Sequence, residues 1–222
     1  MIILVRHGEA THHTQRLTGG WTDSQLTEKG RAQIKAAAVK LAKDFAGRNC
    51  KLRILASDLQ RASASAQIIA EELGFKGEIE HCRFLREKNN GIAADMTEEE
   101  AKKHFCKPAS EQELDHRNYP GGETRNEFYR RNVHGLWHCA DVDKENLLIV
   151  AHKGTIQNII FRWLGMDMQQ VAAFNFSVDV QPASVTVLGI NKWHEHAVFR
   201  LNDVSHLTQG KGFGVFEFKY EK

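Results

Sequence analysis

Met1-Ile2-Ile3-Leu4-Val5-Arg6-His7-Gly8-Glu9 is the segment on which the fold turns. Its apolar residues run without the alternation of a strand that has one wet face, and they stop abruptly at a charged residue and a histidine. A short run of this kind suits a strand covered on both faces, as in a parallel sheet. Leu147 to Ala151, followed by His152, has the same form. Leu52 to Ala56, followed by Ser57-Asp58-Leu59-Gln60-Arg61, has it with one arginine inside.

Outward from these runs the chain alternates with helical patterns. Thr27 can cap a helix whose inward positions are Ile34, Ala37, Ala38 and Leu41. Ser57 or Asp58 can cap another carrying Ala62, Ala66, Ile69, Ala70 and Leu73, stopped by Gly74. Thr97 with Glu100 forms a capping box for a helix that ends before Pro108. Gly121-Gly122 precedes a helix running to about Ala140, and Val185 to Ile190 and His194 to Leu201 read as strands joined by a turn near Asn191-Lys192. The pattern predicts an α/β fold: a mostly parallel sheet flanked by helices on both faces, with an α-rich cap insertion between residues 85 and 145. With no internal repeat and no Pro/Ser-rich linker, one domain is expected over residues 1–222. An extended tail from about residue 209 to 222 alternates Phe216, Phe218 and Tyr220 with charged residues, which suits an edge strand, a packing arm, a pairing strand in a homodimer or an active-site flap.

Composition narrows the function classes. The 222 residues are 41% apolar and 26% charged, which excludes a disordered or low-complexity chain, and the net charge of +2 gives no broad basic field for nucleic acid. No run approaches the roughly 18 apolar residues of a membrane helix, and the apolar start is shorter than a signal peptide. Cys50, Cys82, Cys106 and Cys139 form no C-x-x-C pair, so neither a zinc ribbon nor a dithiol site is indicated. A reduced, cytoplasmic protein is expected.

The carboxyl ends of parallel strands are where α/β sheets place ligands. Arg6 and His7 follow the first proposed strand, Arg61 lies just beyond the second, and His152 closes a third. Buried charges there need a partner, and an anion met by helix N-termini is the simplest one. His134 and His138 stand at a spacing that can bind metal, but no third ligand accompanies them, and the tryptophans read as core or rim aromatics.

With these residues in view, the chain resembles the histidine phosphatase superfamily, in its phosphoglycerate-mutase-like branch. The resemblance rests on Arg6-His7-Gly8-Glu9, Arg16-Leu17-Thr18-Gly19, Leu26-Thr27-Glu28-Lys29-Gly30, Ser57-Asp58-Leu59-Gln60-Arg61-Ala62, Leu85-Arg86-Glu87, Pro120-Gly121-Gly122-Glu123-Thr124 and the His152 segment. It implies that His7 takes the phosphoryl group, that Arg6, Arg61 and His152 clamp its oxygens, and that Glu87 donates a proton to the leaving group and then activates water. Thr18 and Gly19 would hold the far side of the substrate. No metal and no cofactor is called for, because the cationic pocket supplies the electrostatics.

The pattern departs from the family at three places. His13 stands where the family has Asn, Lys153 where it has Gly, and Lys88-Asn89-Asn90-Gly91 where relatives have Trp-Glu-Gly. All three fall in the substrate half of the pocket, so His13 and Lys153 join the candidate substrate-binding residues. The expected activity is a phosphomonoesterase acting on a small phosphate ester. The alternatives are a 2,3-bisphosphoglycerate-dependent phosphoglycerate mutase and, in another class, a catalytically weak phosphate-ligand binding or regulatory protein.

Overall fold

The computed structural model describes residues 1–48, 50–110 and 112–207; the tail expected from about residue 209 lies outside them. The three apolar runs are strands β1 (Ile2–Arg6), β2 (Leu52–Ala56) and β4 (Asn146–Ala151). They are parallel, with β4 between β1 and β2, so that Arg6 lies beside Ala151 and Ala56 beside Val150. Two-sided burial of unbroken apolar runs is what puts them at the centre. β3 (Ile79–His81) adds a parallel edge, while β5 (Val185–Ile190) and β6 (His196–Asp203) continue the sheet beyond β1 antiparallel to their neighbours. The six-strand order is β3-β2-β4-β1-β5-β6.

Successive residues of a strand face opposite sides, and the core divides accordingly. Ile3, Val5, Leu148 and Val150 pack with α2 (Glu28–Phe45) and α3 (Gln60–Glu72). Ile2, Leu4, Leu147 and Ile149 pack with α5 (Arg125–Cys139) and α6 (Lys153–Trp163) on the other face. The remaining helices are short: α1 (Thr11–Thr14), α4 (Glu98–Lys102) and α7 (Met168–Ala173). Among the described residues between 86 and 124, only α4 and one 3₁₀ turn (Gly91–Ala93) interrupt the loops. This segment is tied to the loop after α1 by Thr18 N–H donating to Met96 O and by a bridge between Leu17 and Thr97.

The capping signals of α2 and α4 appear as expected, with Thr27 accepting from Gly30 N–H and Thr97 pairing reciprocally with Glu100. The α3 start differs. Its N-cap is Leu59, which has no capping side chain; Ser57 is turned to His152, and Asp58 is bound to Arg86. Asp23, from a separate loop, accepts from Gln60 N–H at 2.8 Å instead. β6 begins at His196 rather than His194, because His194 takes a positive φ in the turn. Gly8 and Gly30 pack backbone to backbone; a Cβ on either would run into the other segment. That contact fixes the loop leaving β1 against the first turn of α2.

Candidate active site

His7 leaves β1 with its backbone N–H bonded to Ala151 O and its side chain only 3% exposed. Nδ1 lies 2.7 Å from Gly8 O, and because a carbonyl only accepts, Nδ1 carries the proton. Nε2 therefore presents its lone pair. Arg61 Nε donates to it at 3.3 Å.

Arg61 sits at the second position of α3 with 1% exposure, and its guanidinium is fixed by Thr22 O at 2.5 Å and Gly20 O at 2.7 Å. Gly20 has φ +70°, a conformation glycine adopts without strain, and this aims its carbonyl at the arginine. Arg6 donates from one terminal nitrogen to Val180 O at 2.7 Å. His152 contacts Ser57 Oγ through Nε2 at 2.8 Å, and its ring meets that of His7 edge-on at 5.1 Å. Two buried polar atoms in this cluster, Arg6 Nε and His152 Nδ1, have no hydrogen-bond partner among the described residues.

The two histidines of α1 complete the wall. His13 Nδ1 accepts from Ala10 N–H at 3.1 Å, so its neutral ring carries the proton on Nε2, which faces Arg6 at 3.4 Å. Two donors that cannot bond each other thus converge, an arrangement that calls for an acceptor between them. His12 lies against His13 with ring centroids 3.9 Å apart and contacts Ser24 Oγ at 2.6 Å.

Burial sets the protonation states. It holds His7 and His152 well below the ordinary histidine range, with the nearby arginines adding to the effect. It takes His12 to about 3 and, joined by Arg6 and Arg61, His13 to about 4. Arg61 is lowered by burial to about 10, with Glu87 and Asp23 pulling the other way. At neutral pH the pocket therefore combines neutral imidazoles with one buried guanidinium ion, Arg61, and one partly buried, Arg6.

Glu87 stands at the entrance to α6. Its carboxylate accepts from Lys88 N–H and from Gly154 N–H, each at 2.9 Å, so it lies on the positive end of the helix dipole. A Cβ at Gly154 would collide with that carboxylate and with Phe128. The Glu87 carbonyl is held by Trp21 Nε1 at 2.8 Å and Arg131 at 3.0 Å. Arg131 also binds Phe84 O and Arg86 O and is clamped by both oxygens of Glu123. Neither Trp21 nor Arg131 stands out in the sequence. The available signal is Glu123 followed by a long cation on the next helix, and it does not reveal which loop the pair gathers.

The structure thus brings together Arg6, His7, His13, Arg61 and His152, with Glu87 alongside. Gly19 adjoins His12, close enough that a Cβ there would lie 3.5 Å from its ring. Thr18 is committed elsewhere: its hydroxyl donates to Ala93 O and its N–H to Met96 O. Lys153 points outward to an ion pair with Asp179 at 2.7 Å. Among the described residues, no group of three or more His, Cys, Asp or Glu side chains is arranged to hold a metal ion.

Comparison with known proteins follows the same lines. The model of the histidine phosphatase superfamily (branch 1) matches residues 2–203. Phosphoglycerate mutase-like protein 4 of Arabidopsis thaliana is 31% identical, covering 96% of this chain and 91% of that protein. The 2,3-bisphosphoglycerate-dependent phosphoglycerate mutase of Brucella ovis is 30% identical over 77% of this chain and 84% of its own length. Among solved structures, a mycobacterial glucosyl-3-phosphoglycerate phosphatase complexed with VO₃ superposes with a TM-score of 0.70 at 25% identity, covering 90% of this chain and 98% of that one.

Proposed function

The chain belongs to the histidine phosphatase superfamily, a family of enzymes, and from that premise we propose that it hydrolyses a small phosphate monoester through a phosphohistidine formed at His7. The observation that carries this reading is the His7 tautomer: a Gly8 carbonyl holds the proton on Nδ1 and leaves the Nε2 lone pair among guanidinium groups. Nε2 attacks phosphorus, the P–O bond to the leaving group breaks, and protonated Glu87 supplies the proton to the departing oxygen. Water then attacks the phosphohistidine, Glu87 takes its proton, and phosphate leaves with His7 restored.

Arg6, Arg61 and His152 bind the phosphoryl oxygens, and the unpartnered Arg6 Nε–H and His152 Nδ1 supply donors already in place. With the Ser57 hydroxyl donating to His152 Nε2, the His152 proton sits on Nδ1 and points at the anion. His13 Nε2–H joins them, in the position the family fills with Asn. Thr18 serves this site by bracing the cap segment, and Lys153 lies at the rim. The described cysteines are free thiols, and no described helix is long and apolar enough to cross a membrane.

The test is phosphate release from a panel of esters that includes p-nitrophenyl phosphate and 3-phosphoglycerate, with EDTA and without added metal, in wild type and His7→Ala. Turnover in EDTA that falls to background in His7→Ala is the expected result. Interconversion of 3- and 2-phosphoglycerate without net phosphate release would replace this reading with a mutase. Activity unchanged in His7→Ala would overturn the mechanism.

A further inference from the structure

The Glu87 carbonyl and the Lys88 N–H belong to one peptide unit, and a peptide unit is rigid and planar. Its N–H end donates to the Glu87 carboxylate at 2.9 Å. Its oxygen end is gripped from two sides. Trp21 Nε1–H donates to it at 2.8 Å and Arg131 at 3.0 Å, which fills both lone pairs. Turning this plane would carry the Lys88 N–H away from the carboxylate it holds. The two side chains therefore control, through the backbone, where the proton donor points.

Neither side chain donates to the carboxylate itself. A guanidinium carries five N–H groups, and each of those on Arg131 meets an acceptor: both oxygens of Glu123 and the carbonyls of Phe84, Arg86 and Glu87. Glu123 extends the hold past Glu87, accepting from Asn89 N–H at 2.8 Å and donating its own N–H to Asn89 O at 2.9 Å. The compact ammonium of a lysine could not replace this planar fork. Trp21 comes from the other side of the site. Its ring lies 5.2, 4.9 and 5.7 Å from the guanidinium groups of Arg83, Arg86 and Arg131. These cation–π contacts fix the indole plane and with it the direction of Nε1–H.

Trp21 also connects the proton donor with the phosphoryl clamp. The carbonyls on either side of it, Gly20 O and Thr22 O, are the two that hold Arg61. Gly20 in turn lies against Lys88 O, which a Cβ would approach to 2.5 Å. Three consecutive residues thus set the position of Arg61 and of Glu87 together. The proposed transfer depends on that separation, because the leaving oxygen must stay within reach of the proton while Arg61 holds the phosphoryl group. Building on the phosphatase reading, we propose that Trp21 and Arg131 are positioning residues for the Glu87 proton, with Trp21 setting its reach relative to Arg61.

Trp21→Phe keeps a ring in place and removes the N–H. It should lower kcat for glycerol 3-phosphate about tenfold with KM little changed, because the carbonyls that hold Arg61 are untouched. The nitrophenolate burst from p-nitrophenyl phosphate, whose leaving group needs no proton, should be nearly unchanged. A double-mutant cycle on kcat for glycerol 3-phosphate separates positioning from support of the fold. Once Glu87→Gln has removed the proton, adding Trp21→Phe should cost nothing further. Arg131→Lys should behave in the same way with a larger fall, and Trp21→Phe carries the test should that variant fail to fold. A fall of equal size in the Glu87→Gln background, equal losses for both esters, or an unchanged kcat in Trp21→Phe would each overturn the proposal. Hydrolysis of p-nitrophenyl phosphate that persists in His7→Ala would instead mark a failure of the underlying phosphatase reading.

Discussion

His7 and Glu87 are both oriented by backbone groups rather than by other side chains. Gly8 O fixes the proton of His7, and the N–H groups of Lys88 and Gly154 fix the two oxygens of Glu87. Glu87→Gln removes the proton, and because an amide has one acceptor oxygen where the carboxylate has two, it keeps one of these two backbone bonds and loses the other. The loss of rate then depends on the leaving group. An alkoxide needs the proton, and hydrolysis of glycerol 3-phosphate should fall by about 10²–10⁴. p-Nitrophenolate leaves without protonation, so formation of the phosphohistidine from p-nitrophenyl phosphate, read as a burst of nitrophenolate, should be nearly unchanged in Glu87→Gln. Equal losses for both esters would show that Glu87 acts through position and not through its proton.

Between elements, the contacts that shape the site are mostly non-local. α2 and α4 are legible in the sequence because Thr27 and Thr97 cap helices within three residues of themselves. β1, β2 and β4 are legible because two-sided burial leaves an unbroken apolar run. Arg6, His7, Arg61 and His152 are legible as candidates through motifs at the ends of β1, β2 and β4, whereas Glu87, in the loop beyond β3, is legible only through its own motif. α3 shows where this stops. Its first free N–H is bound by Asp23, 37 positions earlier in the chain, and Gln60 Nε2 bonds the same carboxylate. No pattern within the helix could announce that partner. Trp21 and Arg131 escape a sequence reading for the same reason, since their meaning lies in the Glu87 carbonyl they share. β3, three residues long and partly exposed, carries no pattern of its own and is defined by pairing with β2. The Asp23 cap carries a prediction. Asp23→Ala should lower stability by about 1 kcal/mol, read as a reduced urea midpoint at unchanged m-value. Because α3 delivers Arg61 to His7, the same variant should also weaken phosphate binding. A variant with wild-type midpoint and affinity would show that Asp23 caps nothing of consequence.

Over the whole molecule, the site imposes a pH-dependent liability on the fold. His7, His12, His13 and His152 are all held neutral below their ordinary pKa, chiefly by burial, and half-buried His206 is shifted the same way. A histidine whose folded pKa is depressed binds more protons when unfolded, so stability falls as pH drops below about 6.5 and goes on falling toward the folded value. For His12 that value is about 3. At pH 5 each fully buried ring, His7 and His152, should by itself remove up to about 2 kcal/mol relative to neutral pH. Paired carboxylates such as Asp203, lowered to about 2, lose their contribution only below the ordinary carboxylate pKa, so the interval from 6.5 to 5 isolates the histidines. Sulfate offers a clean probe, because it remains a dianion across this interval while mimicking the phosphoryl group. A dianion among these rings favours their protonated forms, and by linkage it must bind more tightly as they protonate. Thermal midpoints should therefore fall from pH 7.5 to 5.0 without sulfate, and the sulfate-induced rise should be larger at pH 5.0 than at 7.5. A sulfate shift independent of pH would mean that the anion does not sit among the four histidines, and it would remove His13 and His152 from the proposed phosphate site together.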